Sequence, residues 1–312
     1  MDILFFEPVY KDYIWGGERL KKDLNKNSPY NRTAESWEIS ANKNGKSFIK
    51  KGKYKGYDLE SLFAKQEERK ELFGTKTIGM DAFPILIKFI DACNNLSVQV
   101  HPDDDYARKN ENNLSGKCEM WYVMDCADDA KLICGAKNIE NKSELKDILN
   151  NGQLKEHLNY MDIKKGNSVF INSGTLHAIM ENTLICEIQQ NADLTYRVYD
   201  WDRVGNDGKP RPLHIDKATD VIDVNSHPTL KVAQDIEVQN LTDCKYFSTD
   251  KLNIKHTFFD TTDGTSFYAM NVVEGNGKID CIDIKKGDSF IIPAEYGKYE
   301  IRGEITILKT KV

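Results

Sequence analysis

Apolar residues in this chain fall mostly into short runs closed by Gly, Asn, Asp and Pro, the pattern of strands and turns rather than of long helices. Residues 37–40, 83–90, 120–124, 168–171 and 184–188 are predicted as such strands. Helical spacing is confined to a few segments. Across 59–73, Leu59, Leu62, Phe63 and Leu72 lie near one face, and 143–158 opens at a serine with Glu144 just inside. Asp103 or Asp104 can start a third helix through Tyr106 and Ala107, and a helix-like stretch at 215–224 leads into a linker. Beyond it, 253–259, 266–273, 277–281 and 304–308 read as short strands between polar turns. The expected fold is mainly β with a few peripheral helices, divided into residues 1–227 and a smaller C-terminal β domain, 228–312.

One turn-and-strand unit is used twice. Asp162-Ile163-Lys164-Lys165-Gly166-Asn167-Ser168-Val169-Phe170-Ile171 is echoed by Asp283-Ile284-Lys285-Lys286-Gly287-Asp288-Ser289-Phe290-Ile291-Ile292. Carrying the register onward by the same offset sets Lys298 opposite His177. The second copy has therefore lost an imidazole and is not expected to bind a metal.

At 312 residues the chain has ample apolar material for one large β-rich core or two modest domains. A net charge of −6 and a pI near 5.6 argue against nucleic acid bound through a generally basic surface, while a local cationic cluster could still hold a small anion. No apolar stretch approaches membrane-spanning length, and the first residues lack the basic region of a signal peptide, so no membrane partner is expected. The seven cysteines are scattered and include no Cys-x-x-Cys pair, which fits a reduced, cytoplasmic protein. Cys118, Cys126 and Cys134 are expected simply to pack on adjacent strands.

The candidate chemistry starts at Ser97-Val98-Gln99-Val100-His101-Pro102. Gln99 and His101 are two apart in a strand-like run, so they share a face. Glu119, in Lys117-Cys118-Glu119-Met120-Trp121, and His177, in Gly174-Thr175-Leu176-His177-Ala178, add a carboxylate and a second imidazole from two more strand-like segments. Two imidazoles, a carboxylate and a carboxamide make a candidate metal cradle suited to Zn²⁺, with Mn²⁺, Fe²⁺ or Co²⁺ behind it. The competing reading for each histidine is a hydrogen-bonded core residue. The succession of turn glycine, buried strand, then Pro or Gly and an inward histidine resembles cupin-like jelly-roll barrels.

Taken together the motifs resemble the metal-dependent, type I mannose-6-phosphate isomerases in their short bacterial form. The resemblance is carried by Gln99-Val100-His101-Pro102-Asp103-Asp104, Gly116-Lys117-Cys118-Glu119, Gly174 to Ile179, and Glu187-Ile188-Gln189-Gln190 running to Leu194-Thr195-Tyr196-Arg197-Val198-Tyr199-Asp200. Trp15-Gly16-Gly17 and Ala34-Glu35-Ser36-Trp37-Glu38 add to it, and the match extends to about Asp223. It implies one Zn²⁺ per chain held by His101, Glu119 and His177, with Gln99 a less secure fourth ligand. It places Lys117, Glu187, Asp193 and Arg197 around a sugar-phosphate substrate, in an aldose-ketose isomerisation of mannose 6-phosphate and fructose 6-phosphate through an enediol. Lys117, Glu187 and Asp193 compete for the role of base, and Arg197 supplies a fork for the phosphate or the enediolate. Arg197 paired structurally with Glu187 is the alternative. Ala192 stands where relatives usually carry serine. A cupin-like metal dioxygenase, for which His-x-His would be more typical than Gln-x-His, and a non-catalytic sugar-phosphate-binding protein are the rival readings.

Overall fold

The computed structural model describes residues 1–205 and 208–312, and strands dominate it. A seven-stranded sheet runs in the order Leu230–Lys231, Ser168–Ile171, Glu119–Cys126, Thr183–Gln190, Ile85–Ala92, Glu35–Ile39, Val9–Lys11. A five-stranded sheet runs Leu158–Asp162, Lys131–Ala136, His177–Ile179, Val98–Val100, Tyr196–Tyr199. Successive side chains on a strand point to opposite faces. Trp121 and Val123 therefore join Ile90, Ile185, Leu132, Cys134 and Ile179 in a core shared by the two sheets, while Met120, Tyr122 and Met124 enter another core on the far side. All eight residues of Ile85–Ala92 are buried, because both faces of that strand are covered.

The five-stranded sheet obeys the same parity. Val98, Val100, Ile133, Tyr196 and Val198 face outward, under the helices Lys142–Asn150 and Ile215–Val221. Lys88, Gln99, Glu119, His177, Glu187 and Arg197 occupy the opposite, inward positions. Strand alternation thus puts six polar side chains between the two sheets.

The third sheet has nine strands, including Ser248–Ile254, Tyr268–Ile279, Ser289–Ile292 and the long Lys298–Lys311, and a core of its own with Leu252, Met270, Val272, Phe290 and Ile307. Its outer face shares a core with the seven-stranded sheet and the helices Leu59–Phe63 and Gln66–Phe73. The strand Leu4–Glu7 also belongs to it, pairing Leu4 with Ile291 and Phe5 with Phe290.

The internal repeat is structural as well as sequential. Gly166 N–H donates to Val123 O and Val123 N–H to Asn167 O; Gly287 N–H donates to Val272 O and Val272 N–H to Asp288 O. Asn167 and Asp288 each accept, through the side chain, the N–H three residues earlier. Both turns need φ > 0, which Gly166 and Gly287 supply at +86° and +93°. Ile171 pairs with Glu119 in one copy, and Ile292 pairs with Tyr268 in the other. The C-terminal copy therefore lacks equivalents of two of the candidate ligands, Tyr268 standing in place of the carboxylate and Lys298 of the imidazole.

Several elements differ in extent from the sequence expectation. The helix expected over 59–73 is two, since Arg69 is buried and donates its Nε to Phe63 O, taking up a helix-end carbonyl. That expected over 143–158 ends at Asn150, where Gly152 turns the chain at φ +69°. Segments 266–273 and 277–281 form one strand, Tyr268–Ile279, with a register shift near Val272 and Glu274, and 253–259 is divided between two strands. Gly74, which ends the Gln66–Phe73 helix at φ +90°, would set a Cβ 2.4 Å from Thr265 O. Gly74→Ala is expected to destabilise the chain by more than about 1 kcal/mol, measured by urea unfolding.

Candidate functional site

His177 and Gln99 are cross-strand partners, and Gln99 is in turn the partner of Arg197. His101 follows Val98–Val100 and Glu119 opens the facing strand, so both reach the same space from opposite sheets. His101, Glu119 and His177 are completely buried, with one ligand atom from each lying within 4.8 Å of the others.

The tautomers are fixed from behind. His101 Nδ1–H donates to Leu194 O and His177 Nδ1–H to Thr175 O, each at 2.8 Å, because a carbonyl can only accept. Each Nε2 then carries a lone pair, and each stands 3.4 Å from a different oxygen of Glu119. Burial, with the Lys117 charge nearby, pushes His101 down to about 4, so the imidazole is neutral at physiological pH. Burial opposes the Glu119 carboxylate, but the Lys117 ammonium 2.8 Å away outweighs it and holds the group well below its ordinary range. His101 Nε2 and Glu119 Oε1 are buried without a hydrogen-bond partner among the described residues, and Glu119 Oε2 is met there by the Lys117 ammonium. Lone pairs converging on one point without a donor between them are costly unless a cation is bound there. The donor set, two imidazoles and a carboxylate, fits a divalent ion of the zinc type. Gln99 directs its amide at His177, 3.4 Å from Nε2.

A cavity of about 310 Å³ lies beside this cluster, lined in part by Trp15, Glu35, Lys88, Gln99, Lys117, Glu187, Asp193, Arg197 and Arg211. Buried charges alternate along its wall. Glu119 meets Lys117 at 2.8 Å, Lys117 meets Glu187 at 3.7 Å, Glu187 meets Lys88 at 3.0 Å, and Lys88 meets Glu35 at 3.8 Å. Trp121 Nε1–H donates to Glu187 and Trp37 Nε1–H to Glu35. Burial works against the Lys88 ammonium, yet Glu187, Glu35 and Asp193 hold its pKa above the usual lysine value. Asp193 sits on the exposed rim, where Asn44 Nδ2 donates to it at 2.8 Å.

The eight residues singled out in sequence are thus gathered in one place, seven of them in the interior between the sheets or against it and Asp193 at its edge. The pairing of Glu187 with Arg197 is not formed: Glu187 is engaged by Lys88 and Lys117, and Arg197 has no carboxylate partner among the described residues. Sequence reasoning missed Lys88, Glu35 and Arg211. A lone lysine within the apolar run 83–90 was a usable signal for the first; Glu35 lay inside a quoted motif without being assigned a role; nothing local marks Arg211.

A mainly β, cupin-type fold with a buried His-Glu-His cluster beneath a cavity lined by alternating charges defines the class of this protein. Residues 3–131 match the family model described as phosphomannose isomerase type I, catalytic domain, and residues 237–312 match mannose-6-phosphate isomerase, cupin domain. The chain is 39% identical over 309 residues to mannose-6-phosphate isomerase ManA of Bacillus subtilis, covering 96% of each. It is 36% identical over 313 residues to a mannose-6-phosphate isomerase of Streptococcus mutans, covering 98% of this chain and 96% of that one. The crystal structure of the mannose 6-phosphate isomerase from Bacillus subtilis superposes with a TM-score of 0.90 at 35% identity, covering all of both chains. The chain belongs to the type I phosphomannose isomerase family.

Proposed function

We propose that this protein is a cytoplasmic aldose-ketose isomerase that interconverts mannose 6-phosphate and fructose 6-phosphate, with one Zn²⁺ per chain held by His101, Glu119 and His177. The observation that carries the reading is the convergence of two imidazole lone pairs and the Glu119 carboxylate on one buried point beside the cavity. Gln99 becomes the fourth ligand once its amide turns its oxygen toward His177. The free state of all seven cysteines supports the reduced compartment. The metal-holding part, 1–227, carries all the chemistry, and 228–312 is a degenerate copy of its barrel.

Bound in the cradle, a divalent ion would polarise the sugar carbonyl and stabilise the charge of the enediolate. The chain's own groups do the rest. Lys117 is the candidate base nearest the cradle: its ammonium form would be disfavoured beside a bound cation, Glu187 3.7 Å away can accept the proton given up, and the free amine can then move the substrate proton between C1 and C2. Lys88 and the Trp121 indole keep Glu187 in place. Arg197 supplies planar donors for negative charge on the substrate. The buried walls exclude water from the proton in transit.

A coupled assay for fructose 6-phosphate tests the reading. Turnover of mannose 6-phosphate is expected to vanish on chelation and to return with Zn²⁺, while free mannose is expected to be a poor substrate, lacking the dianion whose binding positions the reacting carbons. Undiminished turnover after metal removal, checked by elemental analysis, would overturn the metal assignment. Equal kcat/KM for mannose and its phosphate would overturn the phosphate requirement.

A further inference from the structure

A sugar phosphate must be gripped at its phosphate as well as at its reacting carbons, and the five-stranded sheet brings cations to one end of the cavity. After Tyr196–Tyr199 the chain turns back along its own strand: His214 N–H donates to Arg197 O at 2.8 Å, and Arg197 N–H donates to His214 Nδ1 at 3.1 Å. Arg197 Nη1 also reaches Pro212 O at 3.0 Å. The returning segment thereby carries Arg211 to the cavity wall beside Arg197.

Asp200, buried at 6% exposure, fixes Arg211 in that place. Arg211 donates Nε and Nη2 to its two oxygens at 2.7 and 2.6 Å, and Arg203 donates Nε and Nη2 to Oδ1 at 3.0 and 2.8 Å. Arg203 is itself tied to Asn95 O at 2.5 Å. Among the described residues, Arg197, Arg203 and Arg211 thus have Asp200 as their one carboxylate, a surplus of two positive charges that suits a phosphate dianion. Arg197 Nε is buried and has no partner among the described residues. Burial and the neighbouring Arg211 both disfavour the Arg197 cation, which an anion bound between them would relieve. Arg197, Gln99 and His177 lie on three successive strands, so this end of the cavity is one strand spacing from the near side of the cradle and two from its far side, roughly 5 to 10 Å. That is about the reach of a hexose from its carbonyl to its phosphate.

Resting on the isomerase reading, we propose that Arg211, held by Asp200, is the residue that selects for the substrate's phosphate, with Asp200 and Arg203 as positioning residues. The guanidinium edge not used on Asp200 faces the ligand, and Arg197 bridges the phosphate end and the reacting carbons.

The test uses the zinc-loaded enzyme, mannose 6-phosphate as substrate and inorganic phosphate as a competitive probe. Arg211→Ala is expected to raise KM and weaken phosphate inhibition together, each by roughly 10- to 100-fold, with kcat changed less than threefold. Arg211→Lys should recover part of both, as charge returns without the fork. Asp200→Asn should raise KM by a smaller factor at unchanged metal content, because Arg211 is loosened rather than removed. If Ala at 211 compromises folding, Arg211→Gln keeps a donor for Asp200 and carries the same expectation. KM and phosphate inhibition within twofold of wild type in a folded Arg211 variant would overturn the proposal, as would a fall in kcat at unchanged KM. A wild-type protein that does not turn over mannose 6-phosphate would instead remove the isomerase reading itself.

Discussion

His101→Ala and His177→Ala should each strip the chain of its bound metal and lower kcat/KM for mannose 6-phosphate by about three orders of magnitude or more, the several kcal/mol that Lewis-acid stabilisation of an enediolate supplies. The expectation follows from how few donors the cradle has. Each imidazole faces its own Glu119 oxygen at 3.4 Å and is aimed from behind by a backbone carbonyl, so no neighbouring side chain can replace it. Removing either histidine leaves a three-donor site at best, even with Gln99 counted, and four donors are the norm for zinc. His256→Ala is the control, since His256 is exposed in a turn of the C-terminal sheet and should keep metal and activity. Metal by elemental analysis and kcat/KM on the same preparations decide the matter. Full metal retention by either cradle variant would refute the ligand assignment.

Arg197→Lys should lower kcat by roughly two orders of magnitude, the cost typical of losing one preorganised donor to developing negative charge. The structure removes the main competing explanation, an ion pair with Glu187, because Lys88 and Lys117 occupy that carboxylate. Among the described residues the guanidinium's one polar contact to protein is a backbone carbonyl, a bond that lysine can also make, so the thermal midpoint and metal content should change little. A stable, metal-loaded and slow enzyme is therefore the expected result. Wild-type kcat with a raised KM would assign Arg197 to ground-state binding alone.

Much of this site was legible because strands advertise their faces. Gln99 and His101 two apart, and Glu119 next to an apolar pair, could be set on one side from spacing alone. The Asp162 and Asp283 repeats were readable because the Lys-Gly-Asn/Asp turn is a local device, with a glycine at φ > 0 and a side-chain oxygen closing the loop. What escaped was non-local. Arg211 reaches the cavity only because the backbone of His214 pairs with Arg197, and Lys88 acquires meaning only from Glu187 and Glu35 on neighbouring strands. The break in the 59–73 helix likewise depends on where Arg69 places its guanidinium, which also donates to Met80 O.

The pairing of Leu4 with Ile291 has a consequence for how the chain is made. The strand Leu4–Glu7 can pair along one edge with Phe48–Ile49 soon after both are made, but its other edge has no partner until Ser289–Ile292 has left the ribosome. During that interval Leu4 and Phe5, both buried in the finished protein, lie on an apolar edge still open on one side, of the sort that chaperones cover and that otherwise seeds aggregation. Closure of the last sheet is thus a late event that joins segments far apart in sequence, and a nascent chain that stalls before residue 289 leaves that edge of Leu4–Glu7 open.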